Sequence, residues 1–422
     1  EAQELIERAK AIESEAREFM VLDEADRRLA ELLLLHGRVL DHMGQHDECN
    51  ASFEKADALA RVVADPSLQS RTAEALGNYY RRFGRLQESS THLSEALLLA
   101  DQVGDPKLRV APLYGLGSQY WALGNLEEAR HHYLNSLTVA VALNDDRYLG
   151  LGYAGLGLVA ICKGKPTDAR KYLEQSAQIC ERVGMLGPLS TVRVNLVELA
   201  HFTGNLRKGL QLSEKTIQSS REVQHPLGIA LGLRYRAMIL TDIGRFDDAL
   251  DNAKDALDIA GRVQDHEEEI GAIVAVARIH LARGAWVECI NSMNDIDALL
   301  KDGDIEGYAG VVEGWRARAY AELGDTEAAA KHLSNSQTIS GRSWPHQIIR
   351  TQMVSAKALR ASGNIELAIK AAEKALRMSE EAGYRLYSLN AHELLANLVA
   401  SDAPKEMHTR VAQNLTKSLS AN

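Results

Sequence analysis

The residue patterns with a claim to chemistry in this chain of 422 residues are few, and none assembles a catalytic set. Gly150-Leu151-Gly152-Tyr153-Ala154-Gly155 satisfies G-x-G-x-x-G, the spacing with which a glycine-rich turn admits the pyrophosphate of a dinucleotide. That chemistry requires a strand before the run and a helix opening at it. Here the run sits at a helix start inside a repeating pattern, and close packing accounts for it. Gly164-Lys165-Pro166 lacks the first glycine and the Ser/Thr of a phosphate loop. His131 and His132 are adjacent, so they point to different helix faces and lack the i, i+4 spacing of a two-histidine metal site. His36, His42 and His46 fall around one turn, where solvation is the ordinary fate. Acids are abundant, but they lie at helix starts or in connectors, and no carboxylate pair stands out for acid–base work. The reading is of a chain with no enzymatic activity, no cofactor and no metal.

The elements that carry these residues recur with a fixed period. A turn glycine stands at Gly44, Gly84, Gly124, Gly164, Gly204, Gly244, Gly284, Gly324 and Gly363, which makes seven spacings of forty residues and one of thirty-nine. A period of this size marks a stacked repeat array. Seven residues before each turn the residue is small: Gly37, Gly77, Gly117, Gly157, Ala237, Ala277, Ala317 and Ala356, with Val197 the larger exception. Five residues after it stand Cys49, Ser89, Ala129, Ala169, Gly209, Ala249, Cys289, Ala329 and Ala368; twelve after it the set is again small except for Ile296. Two antiparallel helices approach closely only where the facing side chain is short. Glycine inside a helix costs about 1 kcal/mol relative to alanine, so four of them at one phase imply a packing gain. A left-handed glycine ends one helix. Acids three or four residues later, such as Glu127 and Glu128, suit the dipole of the next. Asp65-Pro66 and Asp105-Pro106 read as an N-cap followed by proline in the first turn. No stretch alternates with a period of two, so no sheet is expected.

Leu76-Gly77-Asn78-Tyr79-Tyr80 and Leu116-Gly117-Ser118-Gln119-Tyr120, with Ala129/Tyr133 and Cys49/Phe53, carry the L-G-x-x-Y and A-x-x-x-F elements. The chain thereby resembles the tetratricopeptide repeat, over nearly its whole length. It departs in lacking the first-helix tryptophan and in its period, six residues longer than the usual one. That long form is similar to the repeats of LGN-type adaptors, kinesin light chains and MalT-like bacterial regulators. The resemblance implies an all-α fold: an α-solenoid of about ten helix-turn-helix repeats forming a right-handed superhelix. Residues 1–22 read as the second helix of a truncated preceding repeat or a cap, 23–381 as nine repeats, and 382–422 as a degenerate tenth repeat with a C-terminal cap. The fifth repeat, with Val197, Gly209 and basic Arg207-Lys208, reads either as a flexible joint or as altered packing.

The net charge of −10 argues against a general nucleic-acid binder. No apolar run reaches the roughly 18 residues that span a bilayer. Four widely separated cysteines point to a reducing cytoplasm rather than a disulfide framework. In arrays of the kind resembled, first helices line the concave face. That register selects Asn78, Arg81, Tyr114, Trp121 and Leu158, followed by a basic run of Arg234, Arg278, Arg318, Lys357 and Arg360. An aromatic stretch beside a row of arginines in an acidic protein suits an extended peptide or protein partner with acidic residues. The competing reading pairs these arginines with acids on neighbouring helices. The function expected is a protein-interaction module, the sensor or regulatory region of a larger bacterial signalling protein with an upstream domain. The alternatives are a free-standing adaptor, or a receptor for a small ligand near Tyr114, Trp121 and Leu158.

Overall fold

The computed structural model describes residues 22–42, 45–263, 265–294, 296–302, 308–338 and 345–420; the expected N-terminal element, residues 1–21, lies outside them, as do Gly44 and Gly303-Asp304. Twenty-one α-helices and no strand occupy the described residues. They form ten helical hairpins, from Leu22–His42 with His46–Val63 to Arg385–Leu398 with Asp402–Ser420. The fold is an all-α solenoid of tetratricopeptide-like hairpins.

The small-residue phase is the seat of the hairpin. A Cβ added at Gly37 would lie 2.4 Å from the Phe53 ring, at Gly77 2.6 Å from Leu93 Cγ, at Gly117 2.6 Å from the Tyr133 ring, and at Gly157 2.6 Å from Leu173 Cδ2. Each first helix thus leaves a hole for one bulky residue of its partner helix. In the fifth and sixth hairpins the seat is larger and the residue at the matching phase smaller, Val197 with Ser213 and Ala237 with Ala253, all fully buried, whereas in the seventh Ala277 shares a core cluster with the bulky Met293. Gly155 of the dinucleotide-like run belongs to the same packing, since a Cβ there would meet the Tyr133 ring at 2.4 Å. The turn glycines Gly84, Gly124, Gly164, Gly204, Gly244, Gly284, Gly324 and Gly363 all adopt positive φ, which L side chains resist. Asp65 and Asp105 accept hydrogen bonds from the backbone N–H of Ser67 and Lys107.

Ile296 marks a break. The second helix of the seventh hairpin stops at Asn291 and a new one starts at Ile296, running to Asp302. Ile296 is fully buried beside Met293, Tyr308 and Trp315. A branched side chain at the close-approach phase has no seat on a straight helix, and the interruption lets it enter the core.

The chain divides into two compact units, one ending at Gly155 and the other beginning at Leu156. In the first, adjacent hairpins are joined along their surface by half-exposed ion pairs: Arg38 with Glu74 at 3.4 Å, Arg82 with Asp41 at 2.5 Å, Arg71 with Glu31 at 3.1 Å. In the second, the array returns on itself. The helix Leu186–Phe202 contacts the helix Arg385–Leu398. Phe202 stacks among His346 (5.1 Å), Tyr384 (5.1 Å) and Tyr387 (5.6 Å), and the Tyr384 hydroxyl donates to the Ile161 carbonyl at 2.6 Å. In the fifth repeat Val197 and Phe202 are fully buried.

Candidate functional site

The second unit holds a cavity of about 340 Å³. Four of its lining residues share one register: Met238, Arg278, Arg318 and Lys357 each follow the small seat residue of successive first helices. Side chains one turn further on, Thr241 and Leu281, also line it. The remaining wall comes from Trp315, Arg350, Met353, Tyr387 and Asn390. The lining contains four cations and one carboxylate, Asp242.

Asp242 is already committed. Arg278 Nη2 donates to its Oδ1 at 2.5 Å, and His201 Nε2 meets its Oδ2. Burial alone would raise the Asp242 carboxyl; the charges of Arg278 and His201, with their hydrogen bonds, outweigh it and hold the group well below the usual carboxylate range. Lys357 makes no hydrogen bond or salt bridge to a described residue. Burial, reinforced by Arg318 and Arg278, pushes its ammonium down to about 8. Arg318 Nε lies 3.9 Å from Glu322 Oε1 without a hydrogen-bond partner, and the guanidinium sits over the Trp286 ring at 5.3 Å; burial, chiefly, lowers it from the ordinary guanidinium range. The Tyr387 hydroxyl, buried, is pushed up to about 12. An adjoining groove of about 220 Å³ shares Arg318, Lys357 and Asn390 and adds Arg360, Glu393 and Asn397.

The sequence-derived set therefore separates. Arg278, Arg318 and Lys357 come together, with Arg360 beside them. Arg234 does not join them: its Nε donates to both Glu268 oxygens at 2.9 Å and its Nη1 to the Tyr308 hydroxyl at 3.1 Å, with the pair almost wholly buried. Leu158 is half-buried in the second unit, outside the cavity lining. In the first unit Asn78 lines a larger cavity of about 630 Å³ with Arg38, Asp41, Glu74 and Tyr148, and donates to Glu74 at 2.6 Å. Burial raises the Glu74 carboxyl against the pull of Arg38. Arg81 and Trp121 are half-buried outside that lining, and Tyr114 packs between Tyr133 (5.6 Å) and Tyr148 (6.2 Å).

The two adjacent histidines have separate roles in packing. His132 stacks on Tyr120 at 5.2 Å, as His332 does on Tyr320 at 5.3 Å and His92, tilted, on Tyr80 at 5.3 Å. His131 pairs with Asn135 at 2.9 Å. Sequence reasoning missed Asp242, Arg350, Tyr387 and Asn390. Asp242 was within reach, one residue past the inner register. The other three reach the cavity only because the ninth and tenth hairpins curl back toward the fifth and sixth.

The fold and the site define a helical-repeat solenoid of tetratricopeptide type with a cation-lined interior. Family profiles described as tetratricopeptide repeat match residues 109–182 and 349–381. None of the curated proteins compared with the chain matches it. Among solved structures, the Rap protein complexed with competence and sporulation factor is similar at a TM-score of 0.63 and 12% identity, covering 84% of this chain and 99% of that one. The Rap conjugation gene regulator of plasmid pLS20, in complex with the Phr* peptide, gives 0.54 at 13% identity over 74% and 94%. The signal transduction ATPase with numerous domains and a tetratricopeptide repeat sensor from Pyrococcus horikoshii gives 0.55 at 14% over 85% of this chain and 55% of that one. At these identities the likeness is one of fold. No described helix is long and apolar enough to cross a membrane.

Proposed function

We propose that the chain is a non-catalytic interaction module that takes an extended peptide, or a peptide-like segment of a partner, into the cavity of its second unit. The observation that carries this reading is the charge of that cavity: Arg278, Arg318, Arg350 and Lys357 against the single carboxylate Asp242, which Arg278 already occupies. Arg350 and Lys357 are left without a described hydrogen-bond or ion-pair partner, beside apolar walls from Met238, Trp315 and Met353. A ligand carboxylate restores the missing counter-charge in a desolvated site, where charge-assisted hydrogen bonds are strong, and its neighbouring side chain covers the apolar wall. One of the similar folds holds the Phr* peptide in its solved structure, which supports a peptide-sized ligand, and another is complexed with competence and sporulation factor. A third carries such repeats as the sensor of a signalling ATPase. We place this chain in the same kind of setting, as the regulatory region of a larger signalling protein, and carry the long-repeat likeness to MalT-like regulators with it. Four free, buried cysteines suit a reducing compartment, the cytoplasm.

Reversing Arg278 would set a second carboxylate against Asp242 and endanger the fold, whereas Arg350 and Lys357 can be reversed without stranding a partner. Fluorescence anisotropy with labelled ten-residue peptides, one rich in Glu and Leu and one with Gln for every Glu, is expected to show binding of the acidic peptide to the wild type. The double variant Arg350→Glu/Lys357→Glu should lose at least about tenfold in affinity for its second-unit site, the equivalent of one unfavourable step of 1.4 kcal/mol. Equal affinity for both peptides, or no effect of the double reversal, contradicts the reading.

A further inference from the structure

The first unit contains the larger cavity, and it is charged differently. Its walls present Arg38, Arg71, Arg82, Lys107 and Arg147 against Asp41 and Glu74. Both carboxylates are spoken for, by Arg82 and Arg38, and Arg71 is paired with Glu31. Lys107 and Arg147 remain. Neither makes a hydrogen bond or salt bridge to a described residue, both are exposed, and Arg147 lies over the Tyr148 ring at 5.7 Å. They occupy equivalent places in consecutive hairpins, each the second residue of a first helix, Pro106–Ala122 or Asp146–Cys162. This is the connector side of the hairpins, away from the register that selects Arg278 and Lys357. Between them the floor is apolar: Leu108, Ala111 and Pro112.

We infer that the first unit carries a second, separate binding site for an acidic peptide segment, with Lys107 and Arg147 as its free cations. The site stands on its own cavity and does not depend on the one in the second unit. Two features favour a peptide over a phosphate group. The apolar floor asks for an aliphatic or aromatic side chain between the acids. The two cations stand on consecutive hairpins, which suits monovalent carboxylates spread along a chain, each meeting one of them, and not a single compact dianion.

The test is calorimetric titration of the full chain with the same Glu/Leu and Gln/Leu peptides, and with inorganic phosphate. Wild type is expected to bind two equivalents of the acidic peptide, and neither of the other probes. Lys107→Glu/Arg147→Glu should bind one, with a melting temperature lowered by no more than a few degrees, because both positions are exposed and neither makes a hydrogen bond or salt bridge to a described residue. Arg350→Glu/Lys357→Glu should also bind one. If the first-unit reversal leaves stoichiometry and affinity as in wild type, or if the second-unit reversal alone removes all binding, the first-unit site is refuted and the reading of the second unit stands. If the first-unit reversal removes one equivalent and the second-unit reversal changes nothing, the first-unit site survives and the earlier reading falls. Displacement of the peptide by millimolar phosphate overturns the assignment to a peptide.

Discussion

The two units use one repeat in opposite ways. In the first, charged residues on successive first helices pair across the surface with at least one partner about half exposed, as in Arg38–Glu74 and Arg82–Asp41. In the second, the equivalent helices carry Arg234–Glu268, both side chains at 4% exposure or less, and the His201–Asp242–Arg278 chain of contacts. The seats differ in part: glycine against Phe53, Leu93 and Tyr133 in the first unit and again at Gly157 against Leu173 in the second, but Val197 and Ala237, with Ser213 and Ala253 at the matching phase, in the fifth and sixth hairpins. The difference lies in what covers the inner face. In the first unit the arginine of each pair stays about half exposed, and water screens it, so the pair contributes little. In the second unit Tyr308 covers Arg234, and the returning tenth hairpin brings Tyr387 and Asn390 beside Asp242 and Arg278, so these ions lose water and need partners. The unpartnered Lys357 and Arg350 then stand out against a background in which partners are the rule.

The largest effect expected from this contrast is in the second unit. Asp242→Ala leaves the part-buried Arg278 and the buried His201 without their shared carboxylate, and should cost about 3 kcal/mol in denaturant unfolding followed by a second-unit probe. The sign of its pH dependence follows from the depressed carboxyl. The stabilisation from Asp242 is complete above the ordinary carboxylate range and is lost as the pH falls through the lower folded value. A cost below about 1 kcal/mol would put this network on a level with the surface pairs of the first unit and erase the contrast.

Next in size, Gly117→Ala drives a methyl into the Tyr133 ring and should cost about 1–3 kcal/mol; Tyr133→Leu in the same chain should restore part of it. Additive losses in the double variant would show that the seat is not shared. A smaller effect is expected at the seam of the second unit. Tyr384→Phe removes the hydrogen bond to Ile161 at a cost of about 1 kcal/mol. Hydrogen exchange should quicken in Leu186–Phe202 and Arg385–Leu398 and stay unchanged in the first unit. The smallest belongs to Arg82→Ala, which should change stability by about 1 kcal/mol or less.

Much of this was legible in the chain alone. The glycine period and the small-residue phases locate the hairpins, because backbone approach and left-handed caps constrain residue size locally. The same register finds Arg278, Arg318 and Lys357, since one repeat predicts the next. It also selects Arg234, which lies outside the cavity lining, because ion pairing with Glu268 depends on a neighbour's side chain and not on phase. Arg350 and Tyr387 were out of reach for a different reason. They meet the cavity through contacts between hairpins far apart in sequence, which no period encodes. Ile296 lay between these cases: the exception was visible, while the helix break that accommodates it was not.

The proposal that an anionic ligand meets Lys357 inside the second unit can be tested by measuring acidic-peptide affinity at that site as a function of pH, in the Lys107→Glu/Arg147→Glu background that isolates it. An ammonium that titrates at about 8 loses its charge above that value. Affinity should therefore fall as the pH rises through this range, and the fall should vanish when Lys357→Gln is added. The same pH profile with and without Lys357 would contradict the account.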